Sequence, residues 1–119
     1  MHGFVTNLKR DTLANDDYRR VIYTGPHTQL VLMALHPGDE IGLERHEGHD
    51  QFIRVESGSG TVVLDGGRYP LVEGTGVVIR SGVEHNVINT AAEPLRLYTL
   101  YSPPEHKDGT VHRRKADQP

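Results

Sequence analysis

Turn-forming clusters divide the middle of this chain into stretches too short for helices. Pro37-Gly38-Asp39, Ser57-Gly58-Ser59-Gly60, Asp65-Gly66-Gly67, Glu73-Gly74-Thr75-Gly76 and Ser81-Gly82-Val83 recur at short intervals, and the segments between them alternate apolar and polar residues with period two. Strands are expected at Arg19–Thr24, Gln29–His36, Gln51–Glu56, Thr61–Leu64, Tyr69–Val72, Gly76–Ile79, His85–Asn89 and Leu95–Tyr101, with no window carrying a convincing helical stripe. Asp65-Gly66-Gly67 has the chemistry of a tight hairpin, because glycine tolerates positive φ. About eight strands at this spacing without crossover helices predict an all-β barrel or jelly roll, whose closure also removes exposed edges.

The rest of the composition narrows the function. The chain has 119 residues, sized for one domain with one core. It has no cysteine, so neither disulfides nor thiol chemistry are available. Thirteen Lys and Arg against sixteen Asp and Glu leave a net charge of −3, the wrong sign for a nucleic-acid binder. The longest apolar run, Leu30 to Leu35, falls well short of the roughly twenty residues of a membrane span, and the N-terminus lacks a signal-like pattern. A soluble cytoplasmic protein is the expectation, with a polar N-terminal arm over residues 1–18, a barrel over 19–101 and a charged tail over 102–119. The arm could be an edge strand or disordered; the tail should lie over the barrel.

Eight histidines is a high count for this length. In one segment Gly38 is followed by Glu44, His46, Gln51 and Gly58, and Glu44 and His46, two apart, share a face if extended. In another, Gly74 is followed by Arg80, Gly82, His85 and Asn89, with a turn at Ser81-Gly82 that aims His85 inward. These two segments resemble the paired motifs of the cupin superfamily, Gly-x5-His-x-His-x4-Glu-x6-Gly and Gly-x5-Pro-x-Gly-x2-His-x3-Asn. Every spacing is kept, with Glu44 in place of the first His, Gln51 in place of the Glu and Arg80 in place of the Pro. The resemblance spans roughly Gln29 to Leu100. The wording around Asp50-Gln51-Phe52 and Tyr98 to His106 is similar to that of small single-domain cupins described as mannose-6-phosphate isomerase-like.

The resemblance implies a cupin double-stranded β-helix and a metal site made by Glu44, His46, Gln51 and His85. Two oxygens and two nitrogens with one negative charge suit one divalent ion among Zn, Ni, Fe, Mn and Co, and not Cu(I). The alternative for the same four residues is a metal-free pocket that they line with hydrogen bonds. The implied function is a metal-dependent enzyme using the ion as Lewis acid on a small oxygen-rich or anionic molecule, in sugar isomerase-like or lyase-like chemistry. A metal-dependent dioxygenase and a non-catalytic ligand-sensing module are the alternatives, and no general base is evident. A homodimer is expected, pairing through Arg19–Leu35.

Other features read as structural. His46-Glu47-Gly48-His49 lacks the zincin spacing and sits in a turn, so His49 is expected to be exposed there, with a place near the metal as the alternative. His27, His36, His106 and His112 are expected at the surface. Gly58-Ser59-Gly60 lacks the third glycine and the following helix of a dinucleotide fingerprint. Tyr98 and Tyr101 have opposite parity, so at most one faces the barrel interior. Arg113-Arg114-Lys115 reads as a solvated patch.

Overall fold

The computed structural model describes residues 2–118, so the first residue of the arm and the last of the tail lie outside the described residues. The strands are β1 (Arg19–Thr24), β2 (Gln29–Leu35), β3 (Asp50–Ser57), β4 (Gly60–Leu64), β5 (Gly67–Leu71), β6 (Gly76–Ile79), β7 (His85–Ile88), β8 (Leu95–Ser102) and β9 (Val111–His112). The first eight fall where period-two alternation predicts strands; β9, in the tail, does not follow from it.

All pairings are antiparallel and form two sheets, one of six strands in the order β6-β3-β8-β2-β1-β9 and one of three in the order β5-β4-β7. Single bridges at Glu40↔Ile88 and Glu44↔His85 lay segment 40–44 along the free side of β7. This is the jelly-roll arrangement. The inner faces meet in a core of Val31, Met33, Leu35, Ile53, Val55, Val62, Leu71, Val87, Leu95 and Leu97. Alternation along β8 is clean: Leu95, Leu97, Thr99 and Tyr101 are buried while the residues between them are not. Of the two tyrosines, Tyr101 therefore faces inward, and Tyr98 pairs its ring with Phe52 on the outer side.

The turns explain the glycines. Asp65 and Gly66 link β4 to β5 with φ of 46° and 84°, the two positive values of a two-residue hairpin turn whose twist matches the strands. At Gly58 φ is 87°, and an added Cβ would lie 2.4 Å from the Pro94 carbonyl oxygen.

Residues 2–18 hold an element that periodicity does not reveal: a helix, α1 (Leu8–Ala14). Asn7 caps it, its side chain accepting from the Arg10 N–H at 3.0 Å. Only Thr12 of its seven residues is buried, so it carries no apolar stripe for periodicity to detect. It packs on the outer face of β2, β3 and β8, fixed by Arg96, whose guanidinium reaches the Asn15 carbonyl at 3.1 Å and the Asp16 carboxylate. The tail runs back along the opposite edge, where β9 pairs with β1 and a 3-10 turn follows (Lys115–Asp117). Among the described residues no helix is long and apolar enough to cross a membrane.

Candidate metal centre

Two backbone hydrogen bonds between Glu44 and His85, each 2.8 Å, hold these residues opposite one another at the barrel mouth. Segment 44–50 is extended and then turns; it is not a regular strand, yet Glu44 and His46 still share a side. The turn is buttressed by the second motif: Gly82 N–H donates to the His46 carbonyl at 3.0 Å, Arg45 to the Gly82 carbonyl at 2.5 Å, and Gly48 N–H to the Ser81 hydroxyl at 2.8 Å. Two motifs far apart in sequence thus act as one mount.

On that mount one ligand atom each from Glu44, His46 and His85 lies within 4.8 Å of the others. His46 Nε2 is 3.2 Å from a Glu44 oxygen, and the two imidazole rings are 5.3 Å apart. His85 Nδ1 is 2.8 Å from the Val83 carbonyl, which can only accept, so the proton sits on Nδ1 and Nε2 keeps its lone pair for a ligand-binding role.

Gln51, the fourth residue expected at the site, is buried at the start of β3 on the inner face, paired in register with Tyr101. It makes no hydrogen bond to the other three. Its Nε2 donates to Thr99 at 3.0 Å, which leaves Oε1 buried without a partner. An orphaned buried carbonyl oxygen carries a desolvation cost of about 1–3 kcal/mol unless something meets it, and a cation would. The donor set and this unmet oxygen both fit a divalent ion.

Several residues around the site were not legible as such. Glu105 reaches back from the tail, one carboxylate oxygen 3.5 Å from His46 Nδ1 and the other 3.3 Å from His49 Nε2. His49, expected to be exposed, is instead partly buried, with Nδ1 bonded to the Pro103 carbonyl at 2.8 Å. His106, expected at the surface, packs its ring 5.2 Å from that of Tyr101, with Nε2 buried and unpartnered. Both expectations fail because the tail, expected over the barrel, folds onto the mouth itself and brings Pro103 to His49 and packs His106 on Tyr101. His27 and His36 are exposed as expected, and His112 is half-buried beside Arg19.

Burial dominates the electrostatics here. It pushes the Tyr101 hydroxyl far above its ordinary range, with the carboxylates of Glu44 and Glu105 adding to the effect and Arg19 opposing it. Desolvation, reinforced by Arg19, holds His106 down to about 4. Arg19 is 4% exposed, stacked on Tyr18, with Gln118 and His112 as its nearest polar partners. No carboxylate pairs with it among the described residues, and its Nε and the Tyr18 hydroxyl lack partners.

Known proteins resemble this chain in sequence and in fold. The uncharacterized protein YrkC of Bacillus subtilis is 43% identical over 120 residues, covering 96% of this chain and 64% of that protein, so the chain spans somewhat less than two-thirds of its relative. BH2720 of Bacillus halodurans, solved as a crystal structure, superposes with a TM-score of 0.94 at 41% identity, covering 98% of this chain and 95% of that one. A predicted oxalate decarboxylase of Thermotoga maritima superposes with a TM-score of 0.61 at 26% identity over 64% of this chain and 66% of that one. Residues 31–101, which hold both motifs and the barrel strands from β2 to β8, match the cupin domain, and the chain belongs to the cupin family.

Proposed function

We propose that this cupin holds one divalent metal ion through Glu44, His46, His85 and Gln51, and acts as an enzyme on a small oxygen-rich anion in the cytoplasm. The observation that carries the reading is the convergence of three ligand atoms within 4.8 Å beside the unmet Gln51 oxygen. An ion at this position would supply Lewis acidity, polarising a carbonyl or hydroxyl of the ligand for isomerase-like or lyase-like chemistry.

The surrounding residues set what such a ligand looks like. Three divalent-site donors are neutral and one is an anion, so a loaded site would carry a net charge of +1 and favour an anionic ligand. The buried charge of Arg19, which acts on both Tyr101 and His106, adds to that preference. Tyr101 stays protonated, so its hydroxyl is suited to donate a hydrogen bond to a ligand oxygen and not to abstract a proton. The resemblance to a predicted oxalate decarboxylase is in keeping with a small carboxylate.

Elemental analysis of untagged protein tests the reading. The parent is expected to carry a first-row divalent ion, and His46→Ala and His85→Ala are each expected to lose about two-thirds or more of it with β-sheet circular dichroism unchanged. Unchanged metal content in both variants would refute the site. With metal restored, turnover in a screen of small carboxylates and sugar acids supports the enzyme, whereas saturable binding without turnover makes the protein a ligand sensor.

A further inference from the structure

The tail of this chain does more than cover the barrel. Gln29, fully buried on β2, has two acceptor positions on Oε1 and two donors on Nε2. Oε1 accepts from the backbone N–H groups of Glu105 and His106 at 3.1 and 2.9 Å, and Nε2 donates to the His106 carbonyl at 2.7 Å and to Thr24 at 3.0 Å. Three of the four bonds of this amide grip the tail at one point. The side chain delivered there is Glu105, half-buried, with one carboxylate oxygen facing His46 Nδ1 at 3.5 Å and the other near His49.

The consequence falls on His46. A neutral imidazole carries one N–H, and which nitrogen bears it decides which nitrogen can bind a cation. In His85 the Val83 carbonyl settles the matter. His46 has carboxylates on both sides, Glu44 at Nε2 and Glu105 at Nδ1. If Nε2 carried the proton it would donate to Glu44, and both ligands would be used up in a hydrogen bond. A carboxylate at Nδ1 favours the opposite form, with Nδ1–H pointing at Glu105 and the Nε2 lone pair facing the Glu44 and His85 side.

We infer that Glu105, held in place by the Gln29 clamp, is the positioning residue that fixes His46 in its metal-binding tautomer, so that the C-terminal tail is part of the metal centre. The inference rests on the metal reading proposed above, but the tautomer is a property of the metal-free protein and can be measured without an ion.

The test uses the full chain labelled with 15N, stripped of metal and held at mildly alkaline pH, where ordinary imidazoles are neutral. Long-range proton–nitrogen correlation spectra are expected to show His46 as Nδ1–H in the parent and to shift towards Nε2–H in Glu105→Ala, with His85 unchanged. Zn(II) affinity, read by competition with a chromogenic chelator, is expected to fall about 10–100-fold in Glu105→Ala. Glu105→Gln, which keeps an oxygen acceptor at the same place, is expected to restore much of both. A parent-like His46 tautomer in Glu105→Ala overturns the inference, and so does a loss of affinity without a tautomer change, which would assign Glu105 to tail docking alone. Failure of the parent to bind Zn(II) would instead sink the metal reading, and the tautomer spectra would still decide the role of Glu105.

Discussion

Gln51 shows how one neutral side chain sets the character of the site. A carboxylate in its place would bring a loaded centre from +1 to zero, strengthening the hold on the cation while removing the attraction for an anion. Gln51→Glu is therefore expected to raise Zn(II) affinity and weaken binding of small anions such as citrate or oxalate, both measurable by calorimetry; parent-like values for both would show that the Gln51 oxygen does not meet the ion. His106 illustrates the opposite case, a titratable group kept uncharged by burial beside Arg19. Its folded value near 4 lies below the ordinary value of 6.5, so the unfolded chain binds a proton that the folded chain refuses between these two values. Stability contributed by this group is complete above pH 6.5 and is lost as pH falls towards 4. His106→Gln is expected to flatten that part of the pH dependence of urea unfolding, and a slope as steep as the parent's would assign the acid sensitivity to other groups.

Turns and strands were legible because their signals are local. Period-two alternation placed β1 to β8 within a residue or two of their ends, and the paired motifs brought Glu44, His46 and His85 together because spacing within a jelly roll fixes facing. What was not legible depends on contacts distant in sequence or on too few residues. Seven residues with a single buried side chain give α1 no stripe. Glu105 meets His46 on a tail that Gln29, 76 residues before it, grips. The turn glycines extend the argument to energetics. Gly38 and Gly58 both have φ near +87°, but only Gly58 has backbone in the space a Cβ would occupy, 2.4 Å away, while Gly38 has nothing within 4 Å. Gly38→Ala is expected to cost about 1–2 kcal/mol, the strain of a left-handed residue alone. Gly58→Ala adds an overlap that only a shift of the β3–β4 turn can relieve, so its cost in chemical denaturation should exceed that of Gly38→Ala by about 1 kcal/mol or more. Equal costs would mean that the turn yields freely.

The whole molecule leaves one side unfinished. The arm and α1 cover much of the outer face of β2, burying Leu32 and Ala34, so the apolar strands expected to pair with a second copy are partly occupied by the chain's own N-terminus. The neighbouring surface is not covered. Phe4, stacked on Tyr23 of β1, is exposed, as are Val5 and Leu13 of the arm and Val111, which stands opposite Arg20 on the outer face of the β9–β1 pair. The groove between arm and strand is lined by Phe4 and Ile22 together with Asp11, Asp16, Asp17 and Arg20, so exposed apolar side chains stand beside charged ones next to a sheet edge, and exposed edges with apolar side chains are where soluble domains associate. We propose a homodimer formed through this side. Its placement has a second consequence, because β9 belongs to the tail that also carries Glu105, so a partner packed on β9 would steady the tail over the metal centre. Light scattering at tens of micromolar, an order-of-magnitude concentration for an interface of ordinary affinity, is expected to give twice the monomer mass. Val111→Asp together with Phe4→Asp should yield monomers whose circular dichroism is unchanged and whose Zn(II) affinity is lower than that of the parent dimer. A monomeric parent would refute the pairing, and monomeric variants with undiminished affinity would show that contacts within one chain, the Gln29 clamp and the β9–β1 pairing among them, suffice to hold the tail over the mouth.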